Sequence, residues 1–254
     1  MVNIESRSIK SIPVLHAFDE KKQGDKLPFM IFIHGFTSAK EHNLHFAYSL
    51  AEKGYRVILP DMLHHGDRMS DVSADRRMYS FWDIVIQGIQ DVNTLVKALD
   101  EEGLIYPERV GLSGTSMGGI ITFGALSQYP FIKTAVTLMA TPGYEAFAYW
   151  QIEKMKQLEV SLPYSQEALA KIMSIIKPFD LTTNMKKLDN RPLLLWHSKV
   201  DQVVPYSQSH EFYQKAKPLY KNPENIQYIS DETSGHKVSR TAYLEAVKWF
   251  IKHL

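Results

Sequence analysis

Residues 109–126 read R-V-G-L-S-G-T-S-M-G-G-I-I-T-F-G-A-L, and this run constrains the fold more than any other. A short β-type run enters Gly114-Thr115-Ser116-Met117-Gly118, and a helical run leaves it. A strand that turns into a helix within five residues strains the central serine and leaves little room for side chains beside it. Gly114 and Gly118 supply that room, and Gly119 allows close helix–sheet approach. Such a turn presents the Ser116 hydroxyl at the edge of a sheet, above a helix N-terminus.

The rest of the chain repeats the strand–helix alternation. Residues 29–33 (F-M-I-F-I), 55–59 (Y-R-V-I-L), 134–140, 193–196 and 226–229 are short apolar runs that suit buried parallel strands. Helical patterns fall at 44–53, 80–102, 117–129 and 207–217, with a final helix at the C-terminus. The longest has Trp82, Val85, Ile89, Val92, Val96 and Leu99 on one face; Ser80 reads as its N-cap and Gly103 as its end. The expected architecture is α/β: a doubly wound, mostly parallel sheet with helices on both faces, in one domain spanning 1–254. About fifty residues between Pro142 and Arg191 exceed what one crossover needs, and a helical cap at about 143–190 is expected over the carboxyl edge of the sheet.

Composition excludes several classes of chemistry. The 254 residues hold no cysteine, which removes disulfides, cysteine-ligated metals and a cysteine nucleophile. With 29 basic and 28 acidic side chains the net charge is +1, and no basic cluster suggests a nucleic-acid partner. There is no secretory signal pattern and no apolar run long enough for a membrane span, so a soluble, cytoplasmic protein is expected. Dinucleotide and nucleotide-triphosphate fingerprints are absent, so no cofactor is expected. His64 and His65 lie near Asp61 and Asp67, but without the spacing of a metal motif, and no metal is expected.

A serine hydroxyl needs a base to take its proton, and the base needs an acid to hold its tautomer. Among ten histidines, His236 in S-G-H-K-V lies in the loop between the last strand and the last helix. Asp201, in W-H-S-K-V-D-Q-V-V-P, lies just past the strand at 193–196; Asp231 competes with it but is close enough to His236 to be a turn residue. The expected catalytic set is Ser116, Asp201 and His236.

That chain order on a G-x-S-x-G elbow resembles the α/β-hydrolase superfamily over nearly the whole chain. H-G-F-T-S, P-D-M-L-H-H-G-D-R, G-T-S-M-G-G, H-S-K-V-D-Q-V-V-P and S-G-H-K-V together resemble the small bacterial esterases of its prolyl-oligopeptidase-like branch. The resemblance implies a serine carboxylesterase that forms an acyl-enzyme on Ser116. It also implies an oxyanion hole made by the backbone N–H groups of Met117 and Phe36. The P-D-M-L-H-H-G-D-R loop is expected to brace the floor beside the nucleophile. Phe36, Met62, Leu63, Tyr144, Phe147, Tyr149 and Trp150 are candidates for an apolar substrate wall with no obvious Arg or Lys clamp. That wall suits small to medium neutral carboxylic esters. A peptidase, a thioesterase or an acyltransferase would use the same triad. An oligopeptidase usually adds a large substrate-selecting domain, for which this length leaves no room. A non-catalytic receptor or scaffold on the same fold is the reading from a different class. Oligomeric state is not legible in the sequence.

Overall fold

The computed structural model describes residues 1–69, 73–159 and 165–254. In β3 (Leu27–Ile33) successive side chains alternate between two apolar layers: Phe29, Ile31 and Ile33 face one, Met30 and Phe32 the other. A strand buried on both faces has no polar side, which is why this run is continuously apolar.

Before β3 come β1 (Val2–Ile9) and β2 (Ile12–Asp19), and after it α1 (Leu44–Ala51) and β4 (Arg56–Pro60). Next are α2 (Ala74–Tyr79), α3 (Phe81–Glu101), β5 (Ile105–Thr115), α4 (Met117–Gln128) and β6 (Ile132–Leu138). Helices α5 (Tyr144–Gln157) and α6 (Gln166–Ile176) fall in the long segment before β7 (Leu193–Ser198). The chain ends with α7 (Tyr206–Ala216), β8 (Ile226–Asp231) and α8 (Arg240–His253). The eight strands form one sheet in the order β1-β2-β4-β3-β5-β6-β7-β8. The pairs from β4 to β8 are parallel, whereas β1–β2 and β2–β4 are antiparallel. Helices α1 and α8 cover one face, and α3, α4 and α7 the other. No helix among the described residues is long and apolar enough to cross a membrane.

One local expectation changes, and one element is unforeseen. Ser80 does not cap α3: α2 runs directly into it, and the Ser80 hydroxyl instead donates to Arg76 O at 2.9 Å. The β1–β2 hairpin had no sequence signal, because its turn residues Lys10 and Ser11 take φ of 48° and 67° without glycine or asparagine.

At the strand-to-helix turn the backbones almost touch. A Cβ on Gly118 would lie 2.1 Å from Ile33 O, and one on Gly114 2.3 Å from the carbonyl carbon of Gly118. Gly118→Ala is therefore expected to cost about 3 kcal/mol, lowering the thermal midpoint by roughly 6–12 °C. Gly24→Ala, which meets nothing within 4 Å, should move it by less than about 2 °C. Differential scanning fluorimetry reads both; equal midpoints would contradict the close approach.

Candidate active site

Ser116 sits between β5 and α4 with φ 53° and ψ −117°, a left-handed backbone that a serine adopts only under constraint. Its N–H donates to Leu138 O at 2.9 Å and its carbonyl accepts from Ile120 N at 2.9 Å, so both sides of the turn are fixed. The Ser116 Oγ–H donates to His236 Nε2 at 2.9 Å. On the other edge of that ring, Nδ1–H donates to Asp201 Oδ2 at 2.7 Å. These bonds select the tautomer in which Nε2 is free to accept a proton.

Asp201 is held from every side. Its Oδ1 accepts from Val203 N and Val204 N at 2.8 and 3.0 Å. A second imidazole, His197, reaches Oδ2 through Nε2–H at 3.1 Å and also donates to Val204 O, while its Nδ1 accepts from Ser209 Oγ at 2.8 Å. Burial alone would raise the Asp201 pKa. The hydrogen bonds from His197, His236 and the two amides outweigh it and hold the carboxyl below the usual aspartate range. Asp231, the competing carboxylate, is occupied by its own turn, accepting from Thr233 N and Ser234 N. The His236 loop is tied to the end of β7, where Ser198 Oγ accepts from Gly235 N at 3.0 Å.

The loop after β3 lies against Ser116: a Cβ on Gly35 would be 3.6 Å from Ser116 Cβ. Two buried histidines brace this loop on the one after β4. His34 Nε2 accepts from Met62 N at 3.1 Å and its Nδ1–H donates to Gly35 O at 2.8 Å. His65 Nε2 accepts from Thr37 N at 3.2 Å and its Nδ1–H donates to Leu63 O at 2.8 Å. Both rings act as acceptors of backbone N–H groups, which requires them neutral. Burial accordingly pushes the His34 pKa down and the His65 pKa down to about 4. Asp61 and Asp67, considered above beside a metal, instead share the buried Lys40 ammonium at 2.6 and 2.7 Å. Asp61 also accepts from the amides of Lys40 and Asp67, which closes the loop beside the site.

The expected substrate wall is only partly available. Met62 and Tyr144 are both wholly buried, and Tyr144 OH donates to Ile120 O at 2.7 Å, so these two are core. Phe147 is 3% exposed and packs among Phe81, Trp82 and Trp150. Leu63 is half-buried, and Tyr149 points outward at 59% exposure. Trp150 does line a mostly apolar cavity of about 190 Å³, together with Phe81, Trp82, Leu169, Ile172 and Met173, and Lys154 on its wall lies over the Trp150 ring. Phe36 itself does not line that cavity, but its ring centroid lies 5.8 Å from that of the lining residue Phe81. On the His236 side a more open cavity carries Lys237 and Arg240 on its wall, cations that no sequence pattern assigned to the site. His197 was also missed, although it precedes Asp201 by four residues in the motif H-S-K-V-D.

Residues 45–254 match the prolyl oligopeptidase family. Over the full length of both chains the protein is 43% identical to "Putative esterase YitV" of Bacillus subtilis and 32% identical to "Esterase YjfP" of Escherichia coli. Among solved structures, TT1662 from Thermus thermophilus superposes with a TM-score of 0.76 at 18% identity, covering 99% of this chain and 98% of that one.

The buried imidazoles set a pH dependence. His16, His34 and His65 are all pushed down by burial, His16 to about 3 and His65 to about 4, from an ordinary 6.5. Between those values the unfolded chain binds more protons than the folded one, so stability falls as pH drops from 6.5 toward 4. The depressed Asp201 acts lower: its contribution is present above its ordinary 3.8 and is lost as pH falls below that. The thermal midpoint should therefore decline from pH 7 to 4.5. His65→Gln, which cannot be protonated, should flatten part of that decline, and a level midpoint in the wild type over this range would contradict neutral burial.

Proposed function

Because the chain belongs to the prolyl oligopeptidase family of α/β-hydrolase-fold enzymes, we propose that it is a serine carboxylesterase working through an acyl-enzyme on Ser116. It is an esterase-type hydrolase by family. The observation that supports the finer reading is the unbroken chain Ser116 Oγ–His236–Asp201, at 2.9 and 2.7 Å.

In this reading His236 Nε2 takes the Ser116 proton as Oγ attacks the ester carbonyl. The developing imidazolium is stabilised by Asp201, which stays ionised. The carbonyl oxygen becomes an oxyanion between the N–H groups of Met117, at the start of α4, and Phe36, in the loop braced by His34 and His65. His236 then gives its proton to the departing alcohol, and water repeats the sequence to release the acid. No cofactor enters these steps. His197 is a positioning residue: it holds Asp201 Oδ2 in line with His236 Nδ1.

The acyl group is assigned to the apolar cavity behind Phe36, with α5 and α6 serving as a cap. An apolar cavity of about 150 Å³ accommodates benzene, and this one is about 190 Å³. Uncharged acyl groups of small to medium size fit that space.

The test joins two assays. Ser116→Ala should abolish hydrolysis of p-nitrophenyl acetate and butyrate and labelling by a fluorophosphonate probe, read by intact-protein mass. Wild-type turnover in that variant would sink the mechanism. Phe36→Pro, which removes one proposed oxyanion donor, should lower kcat by about 10²–10³. Across a p-nitrophenyl ester series, activity should peak at short to medium acyl chains, and a maximum at long chains would refute the assigned cavity.

A further inference from the structure

The wall that holds His236 belongs to a second cavity, of about 520 Å³, on the face of the sheet covered by α1 and α8. Resting on the esterase reading, its role follows from the direction of proton transfer. The departing alcohol takes its proton from His236 Nε2, so the leaving oxygen and its substituents lie on the His236 side. The acyl group then points the other way, toward Phe36 and Phe81.

The two sides hold their cations differently: Lys154, in the lining of the acyl-side cavity, lies over the Trp150 ring at 5.7 Å. The leaving-group cavity has Phe46 and Met139 in its lining and carries Lys237 and Arg240, with His42 and His45 also in its lining. No aspartate or glutamate lines it. Neighbouring acids are already committed: Glu41 to Lys40 at 2.9 Å, and Glu245 to Lys248 at 2.7 Å. Among the described residues, Lys237 and Arg240 enter none of the ion pairs, whereas Lys40 nearby has three carboxylates. Two uncommitted cations beside an apolar surface, with the catalytic base in the same wall, match an alcohol that has an apolar body and an anionic end. We propose that the alcohol half of the substrate carries a carboxylate or phosphate, recognised by Lys237 and Arg240. The neutrality expected from the sequence then applies to the acyl half alone.

The probes are three aryl acetates sharing one acyl group: methyl 4-acetoxybenzoate, 4-acetoxybenzoate and 4-acetoxyphenyl phosphate. Each kcat/KM is divided by the ester's hydroxide-catalysed rate, which removes the effect of leaving-group acidity. Exposed charge contacts are worth a factor of a few each, so the wild type should favour at least one anionic ester by about 3- to 10-fold. That preference should shrink toward unity in Lys237→Gln/Arg240→Gln and in high salt. The larger of the two anionic ratios identifies the anion. A normalised ratio at or below unity for both anions overturns the proposal, as does a preference that survives in the double variant. Failure to hydrolyse all three esters, with no fluorophosphonate labelling, would instead overturn the serine-hydrolase reading and this inference with it.

Discussion

The fold depends on a backbone contact that only glycine permits. β5 ends and α4 begins within a space so small that a methyl group on Gly114 would meet Gly118, and one on Gly118 would meet Ile33 O on the neighbouring strand. The contact does three things at once. It seats α4 directly on the sheet, forces Ser116 into a left-handed conformation, and brings the loop after β3 against that serine. A serine in this backbone region is unfavourable by about 1–3 kcal/mol. The buried strands and helices on either side hold it there.

Three other loops answer to that point. The ends of β7 and β8 lie side by side in parallel register, from Leu193–Ile226 to Ser198–Asp231. This puts the Asp201 and His236 loops next to each other and next to the elbow, although the three side chains are far apart in sequence. Asp201 carries two imidazoles on one oxygen, and its ionised state is what makes both of those N–H donors favourable. The loops after β3 and β4 are coupled by neutral histidines that accept backbone N–H groups and by Lys40, whose ammonium Asp61 and Asp67 share. Ionised Asp201 therefore organises one side of the site, and neutral imidazoles together with the buried Lys40–Asp61 pair organise the other.

Much of this was legible in the sequence where local chemistry allows few alternatives. Glycines at fixed offsets around Ser116 specify a turn whatever else the chain does. Loops at the carboxyl ends of parallel strands gather at one edge, which singled out Asp201 and His236. The β1–β2 hairpin was not legible, because its turn is built from Lys10 and Ser11, and the surrounding fold imposes their positive φ. The substrate wall was read too broadly. Helical spacing shows that Tyr144 shares a face with Phe147 but not that both rings are buried, Tyr144 completely. Gly124 holds that information, since a Cβ there would meet Tyr144 OH at 2.2 Å. Lys237 and Arg240 stand in plain view beside His236, yet only the packing of α1 against α8 shows that they share a cavity with it.

The central claim is that Ser116 is acylated during turnover. Rapid-quench mass spectrometry after mixing with an aryl acetate, followed by peptide mapping, tests it most directly. The expected result is one acetyl group on the Ser116 peptide, appearing with the first phenol released and decaying at a rate no slower than turnover. Continued hydrolysis with no acylated Ser116 peptide at any time, while a known serine esterase is trapped under the same quench, would contradict it.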